Sequence, residues 1–396
     1  MKNVQKRVPS LLLIIVLVGF PQISESIFTP VLPQISTHML VDASKTQLTM
    51  SSYFFAFAIG VFFWGRLSDK VGRRKAMLWG IIVYLLGNIG LFISPNFQML
   101  LGSRFIQAFG ASVGSVVTQT IMRESFEGIE GAKVFSKVGA AMSLSPALGP
   151  LIGGIVQEYL GYRNVFSTLI VMSALVLLYS FYRLPETQNT TEIESSSLIQ
   201  VSKRLVTDSR VWSYGILIGG INGILFGYYS EAPFIFMNHF GFSSVQYGSL
   251  GIVLALASLL GAILVNYLVN YFKSELILIS GLLVSVISSG LLILPLKFDQ
   301  SFIMIVGIFL VFLGLNTTLP IALNLALKGY EDVIGSASGI FSLSYYLIVS
   351  LLTYLVSLMH DGTINALPEF MFIICLVMVV SCINLSVKAV FAEKIK

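Results

Sequence analysis

The stretch GRLSDKVGRRKAML, Gly65 to Leu78, decides how this chain is read. It sets five Lys and Arg residues between two runs that carry no charge, SSYFFAFAIGVFFW before it and WGIIVYLLGNIGLF after it. Apolar runs of this kind read as membrane-spanning helices, and a cationic loop between two of them marks the cytoplasmic side.

The rest of the chain repeats the pattern. Of 396 residues, 56% are hydrophobic and 11% charged, where a soluble domain carries about 25% charged. Twelve apolar segments are predicted, near 10–33, 46–65, 75–94, 97–122, 134–157, 164–183, 211–239, 246–269, 275–295, 301–326, 334–358 and 366–388. With the N-terminus inside, the cytoplasmic segments hold twenty Lys and Arg, and the outer loops hold only Lys45, Arg163 and Lys297. That bias places both termini in the cytoplasm. It also accounts for the net charge of +5 without a nucleic-acid partner. Lys2, Lys6 and Arg7 before LLLIIVLVGF resemble the start of a signal peptide. The apolar character continues through IFTPVLPQI, so the segment reads as a first span.

The longest polar break, Leu184 to Arg210, divides the spans six and six. The expected architecture is all-α: an N-terminal six-helix bundle over 1–183, a cytoplasmic linker over 184–210 and a C-terminal six-helix bundle over 211–396. Asn189 lies in a sequon on the cytoplasmic side and carries no weight. His38, His239 and His360 fall at outer ends, so no metal pair and no buried histidine relay is expected. Cys375 and Cys382 are seven apart on one helix, too far to bond each other. No zinc spacing, nucleotide loop or nucleophile motif is present. The sequence therefore points to movement of a solute, with no metal, no cofactor and no enzymatic chemistry.

Gly65-x-x-x-Asp69-x-x-Gly72-Arg73-Arg74-Lys75 resembles the loop signature of the major facilitator superfamily. RFIQAFG (Arg104, Gln107, Gly110) resembles its second motif, with Ala108 where that motif usually has Gly. SPALGPLIGG (Pro146, Gly149, Pro150, Gly153, Gly154) is similar to the motif of its proton-driven exporters. IFTPVLPQI, EAPF and HFGFS look like the Bcr/CflA branch of drug:proton antiporters. The loop NYLVNYFKSEL after the eighth span has lost the repeat of the first signature.

Several residues gain expected roles. Gly65 and Gly72 let helix ends approach closely. Asp69, the one acid among the loop's cations, is expected with Arg73 to latch onto the small-residue start of the eleventh span, GSASG, whose N-terminus carries partial positive charge. Pro146, Gly149, Pro150, Gly153 and Gly154 make a kinked, grooved gate helix, with Leu151 read as facing lipid. Ionisable groups inside a membrane are functional candidates by default. Glu25, Arg104 and Glu231 lie at matching depth, about 10–12 Å below the outer surface. Glu25 and Glu231 also occupy corresponding places in a six-plus-six repeat. They are the expected proton-coupling or substrate groups, with Tyr228, Tyr229, Phe234, Tyr345 and Tyr346 as cavity lining.

The resemblance implies a monomeric, proton-coupled exporter of small amphipathic compounds in the bacterial inner membrane, its partners being substrate, protons and lipid. Two alternatives stand beside it. One is a carrier dedicated to a single metabolite such as a siderophore or sugar, import included; the other is a non-transporting receptor or scaffold.

Overall fold

A computed structural model describes residues 8–126, 128–188, 198–294 and 300–394. Asn189, Lys297 and the first three cations lie outside the described residues. Twelve helical spans are long and apolar enough to cross a membrane. They are α1 (Leu11–Met39), α2 (Ala43–Val71), α3 (Arg73–Ile93), α4 (Phe97–Ser125), α5 (Gly128–Leu160), α6 (Tyr162–Arg183), α7 (Ser209–His239), α8 (Ser244–Leu268), α9 (Ser274–Ile293), α10 (Gln300–Ala326), α11 (Ile334–Met359) and α12 (Ala366–Ile383). A short linker helix, Leu198–Thr207, precedes α7. No strand occurs among the described residues.

Local chemistry sets the ends. The Ser10 hydroxyl accepts from Leu13 N, the Asn96 side chain from Met99 N, and Ser243 with Gln246 forms a reciprocal capping box, each satisfying amides that lipid would leave bare. Gly72, at φ 96°, turns the chain between α2 and α3, in a region where other residues are strained.

Two six-helix bundles follow a repeated plan. α1 packs on α4 and α5, as α7 packs on α10 and α11; α3 packs on α4 and α6, as α9 packs on α10 and α12. Burial of apolar surface gives little net drive between helices already in lipid, so small residues and internal polar bonds carry the packing. Gly110 of α4 sits against the backbone of Tyr84, with no room for a Cβ. Trp64 donates to Phe109 O at 2.7 Å, tying α2 to α4, and Ser285 donates to Val311 O at 2.9 Å, tying α9 to α10. Leu86, Leu175, Ile287 and Val380, on α3, α6, α9 and α12, stay exposed as a lipid-facing belt.

The bundles meet through α2 against α11 and α5 against α8, pairs related by the same six-helix shift. The face bearing the α2–α3 loop and the α6–α7 connection is here called the linker face. The opposite face, where α2, α8 and α12 begin, is the far face.

Candidate functional site

Arg104 of α4 is fully buried, a large cost inside a membrane unless its charge is met. Its guanidinium lies over the rings of Phe28 and Tyr53, 4.3 and 4.1 Å from their centroids. Nη1 donates to Ser24 O at 3.3 Å and to Gln107 Oε1 at 2.5 Å. Gln107 donates to Asn88 Oδ1 at 2.5 Å, and Asn88 to Leu169 O at 3.3 Å. Five spans of the N-terminal bundle thus converge on one cation.

Glu25 of α1 lies within reach of that charge and keeps 7% of its surface open. No ion pair within 4.0 Å and no hydrogen bond holds its carboxylate among the described residues. Beside Arg104, Ser24 Oγ, Tyr53 Oη and Tyr84 Oη, like Arg104 Nε itself, are buried without a hydrogen bond of ordinary geometry. Buried polar groups are rarely left so, and four close together mark a place kept for something other than packing.

Glu231 of α7 belongs to a different cluster. It is fully buried, and it accepts from Gln47 Nε2 of α2 at 2.5 Å. His360, just past α11, lies with Nδ1 at 2.8 and 3.0 Å from the two carboxylate oxygens. The depth match of Glu25 and Glu231 therefore does not bring them to one pair of partners: Arg104 serves one bundle, and Glu231 bridges both.

Further contacts close the far half. Ser350 donates to Ser51 O at 2.8 Å, Tyr229 Oη to Pro146 O at 3.4 Å, and Val245 N to Glu158 Oε2 at 2.8 Å. Phe54 meets Phe226 at 4.1 Å and Phe57 meets Tyr346 at 4.8 Å, across the bundles. Gly154 sits on Ser244 O, Gly248 on Pro150 O and Gly251 on Pro146 O, without room for a side chain. Leu151 is only half exposed and presents its Cα to Gly248, so it borders this seam and does not face lipid alone. At the linker face, Cβ atoms placed on Gly335 and Gly339 of α11 would meet open space.

The family model described as Major Facilitator Superfamily matches residues 14–353. An uncharacterized transporter of Rickettsia bellii is 34% identical over 355 residues, covering 87% of this chain and 88% of its own. The chain belongs to the major facilitator superfamily. A chloramphenicol resistance protein of Pseudomonas aeruginosa is 27% identical, covering 90% and 86%. Among solved structures, an inward-open xylose transporter of Escherichia coli shares the fold at a TM-score of 0.75 and 14% identity, covering 94% of each chain. This facilitator is a transporter and a multi-pass membrane protein.

The superfamily loop signature folds into a charge hub at the linker face. Arg73, 3% exposed, donates from Nε and Nη2 to Glu124 Oε1 at 3.0 and 2.7 Å, from Nη1 to Ser68 Oγ at 2.8 Å, and also to Asp69. Glu186 caps α3 by accepting from Arg73 N at 2.8 Å and Arg74 N at 3.2 Å, while Gly72 leaves it room. Thr187 donates to Glu124 at 2.9 Å and Gln188 to Asp69 O at 2.6 Å, so the first linker residues are strapped onto the hub.

The latch expected between Asp69 and the start of α11 is not made in this conformation. Asp69 pairs instead with Arg73, one turn away in its own bundle. Gly65 faces Val116, while Gly149 and Gly153 face Ser26 and Ile27 of α1 inside the N-terminal bundle. Of the expected cavity residues, Tyr345 and Tyr346 remain half-buried, their rings tilted against each other at 4.4 Å. Tyr228 is instead core, against Tyr229 and Phe312, and Phe234 covers the His360 ring at 5.4 Å. Sequence reasoning passed over Gln47, Glu124 and Glu186, and it set His360 aside as an outer-end residue, whereas the packing of the bundles places that ring on the buried Glu231. The one available signal was their position, each within a turn or two of a span end.

Proposed function

We propose that this facilitator exports drugs or other small amphipathic compounds in exchange for protons, by alternating access in a bacterial inner membrane. The observation that carries the reading is Glu25: a buried acid with no ion pair or hydrogen bond among the described residues, within electrostatic reach of a fixed Arg104. The charge bias of the loops supports the linker face as the cytoplasmic one. The conformation described, closed at the far face, is then the one that loads substrate from inside. The names borne by the Pseudomonas protein and by the multidrug resistance proteins of Shewanella, 25–26% identical, support drugs as the substrate class.

The residues suit such an exchange. Arg104 is pinned by two rings and two acceptors, so it acts as a fixed charge. Glu25 has freedom to bind either a proton or the cationic part of a substrate. Proton and substrate then compete for one carboxylate, and each arrival displaces the other. The half-buried Tyr345 and Tyr346 offer ring faces to an amphipathic guest opposite that acid.

The test is efflux from proteoliposomes driven by a pH gradient, with chloramphenicol and a lipophilic fluorescent cation as probes. Glu25→Gln should fold and bind the probe, but binding should no longer release a proton or vary with pH. Glu25→Asp should keep part of the coupling. Wild-type proton coupling in Glu25→Gln would remove Glu25 from the role, and absence of gradient-driven efflux in the wild type would remove antiport.

A further inference from the structure

Glu231 poses a problem that coupling through Glu25 leaves untouched. A carboxylate with no exposed surface is costly in a membrane unless it is paired, and its partners here are a neutral amide and an imidazole. The amide comes from α2 of the N-terminal bundle, the acid and the imidazole from α7 and the end of α11 in the C-terminal bundle. Gln47 Oε1 is buried without a partner, so donation to Glu231 is what orients this side chain. Gln47 also lies 3.4 Å from His360 Nδ1. Opening of the far face must pull α2 from α7 and α11, and it cannot do so without breaking these bonds.

We infer that Gln47, Glu231 and His360 form a proton-operated lock on the far face, with His360 reading the medium outside. His360 keeps 14% of its side chain open, enough to exchange protons with that medium, while Glu231 keeps none. The charged groups acting on the imidazole are Glu231 from α7 and Asp361 beside it; α2 contributes the Gln47 amide, and Phe234 lays its ring on it. The hydrogen bond that His360 donates to Glu231 raises the His360 pKa above the ordinary histidine value, burial opposes this, and the charges of Glu231 and Asp361 add to the rise.

The sign follows. Closure takes up a proton, because the closed lock favours imidazolium and an opened, hydrated one does so less. The lock is at full strength below the ordinary histidine value and weakens as pH rises through the raised one. Acid on the far face holds the gate shut; alkali loosens it. Any alternating-access transporter needs such a closure, so the inference holds whether or not the cargo is a drug or Glu25 carries the transported proton.

Nitroxide labels at Leu40→Cys and Thr363→Cys, both exposed and on different bundles, report the far-face separation by pulsed electron spin resonance in lipid nanodiscs. The buried native thiols are first removed as Cys375→Ala and Cys382→Ala. In the otherwise wild-type chain the long-distance population should grow with pH by up to about tenfold per unit across the histidine range. His360→Gln should flatten that profile, and Gln47→Ala should raise the long-distance population at every pH while the protein still elutes and melts as a folded monomer. His360→Asn serves as the second sensor variant. A His360→Gln profile that still follows the wild type would dismiss His360 as the sensor. Unchanged distances in Gln47→Ala, or a wild type indifferent to pH, would dismiss the lock. No substrate enters the experiment, so its failure is separate from failure of the export reading.

Discussion

At the far face a buried carboxyl group, Glu231 of α7, is held by an amide from α2 and a titratable ring from the end of α11. At the linker face a buried cation, Arg73, is held by Glu124 and Asp69, carboxylates of its own bundle, with Glu186 capping its helix. Both put charge where it is expensive, but the second meets its cation with carboxylates, whereas the first relies on a ring that supplies opposite charge only when protonated. The first cluster crosses the moving interface and its strength depends on one proton; the second lies within one rigid body and does not. A transporter needs both kinds, since one part must come apart in each cycle while the other must not.

That contrast makes unequal demands on stability, and Arg73→Met should show the largest effect. Removing Arg73 takes a charged donor from the partly buried Glu124 and the half-exposed Asp69, a loss of about 1–3 kcal/mol. The melting temperature in detergent should fall steeply. Gln47→Ala, at the far face, should lower it little, since the bond it removes is one the cycle breaks anyway. Equal losses in the two variants would erase the distinction between a structural hub and a working lock.

The seam glycines sharpen the comparison at the next level. A side chain on Gly154 would strike Ser244 O across the bundles, whereas one on Gly153 would strike Ile27 O of α1 within a bundle. Overpacking of this kind costs about 1–3 kcal/mol, but the cost lands on different equilibria. Gly154→Val should drive the labelled far face open and slow transport with modest loss of melting temperature. Gly153→Val should lower the melting temperature and leave the far-face distance alone. Ile155→Val, 42% exposed toward lipid, should change neither. Identical behaviour of Gly153→Val and Gly154→Val would mean that the seam is ordinary packing.

Much of this was legible from residue order alone. The twelve spans follow from composition, because apolar runs and cationic loops alternate the whole length of the chain. Glu25 and Arg104 stood out because an ion inside an apolar run is rare, although Arg104 read equally as a static clamp between helices. Gln47 and His360 did not, because polar residues at helix ends are common and their partner Glu231 lies 184 and 129 positions away. Only the packing of one bundle on the other reveals that pairing. Tyr228 and Phe234 misled for the related reason that an aromatic near an acid reads the same whether it lines a cleft or fills a core. The Asp69 latch is legible as a motif, but a sequence does not say which conformation makes the contact.

Asp69→Asn is accordingly the finest test. In the conformation described, Asp69 is half exposed and shares Arg73 with Glu124, so its ion pair is worth under about 1 kcal/mol. The melting temperature should barely move. In the opposite conformation the bundles close at the linker face, and the start of α11, which now has space around Gly335 and Gly339, becomes the nearest positive helix end for that carboxylate. The substitution would then raise the energy of that state alone, by the fraction of a kcal/mol to about 1 kcal/mol that such a helix-end interaction carries. Labels at the linker face should show the open population rising severalfold, turnover should slow, and insertion should be normal. Turnover and linker-face distances equal to wild type in well-expressed Asp69→Asn would leave the linker face with its hub but without a latch, and the far-face lock as the gate on which the cycle turns.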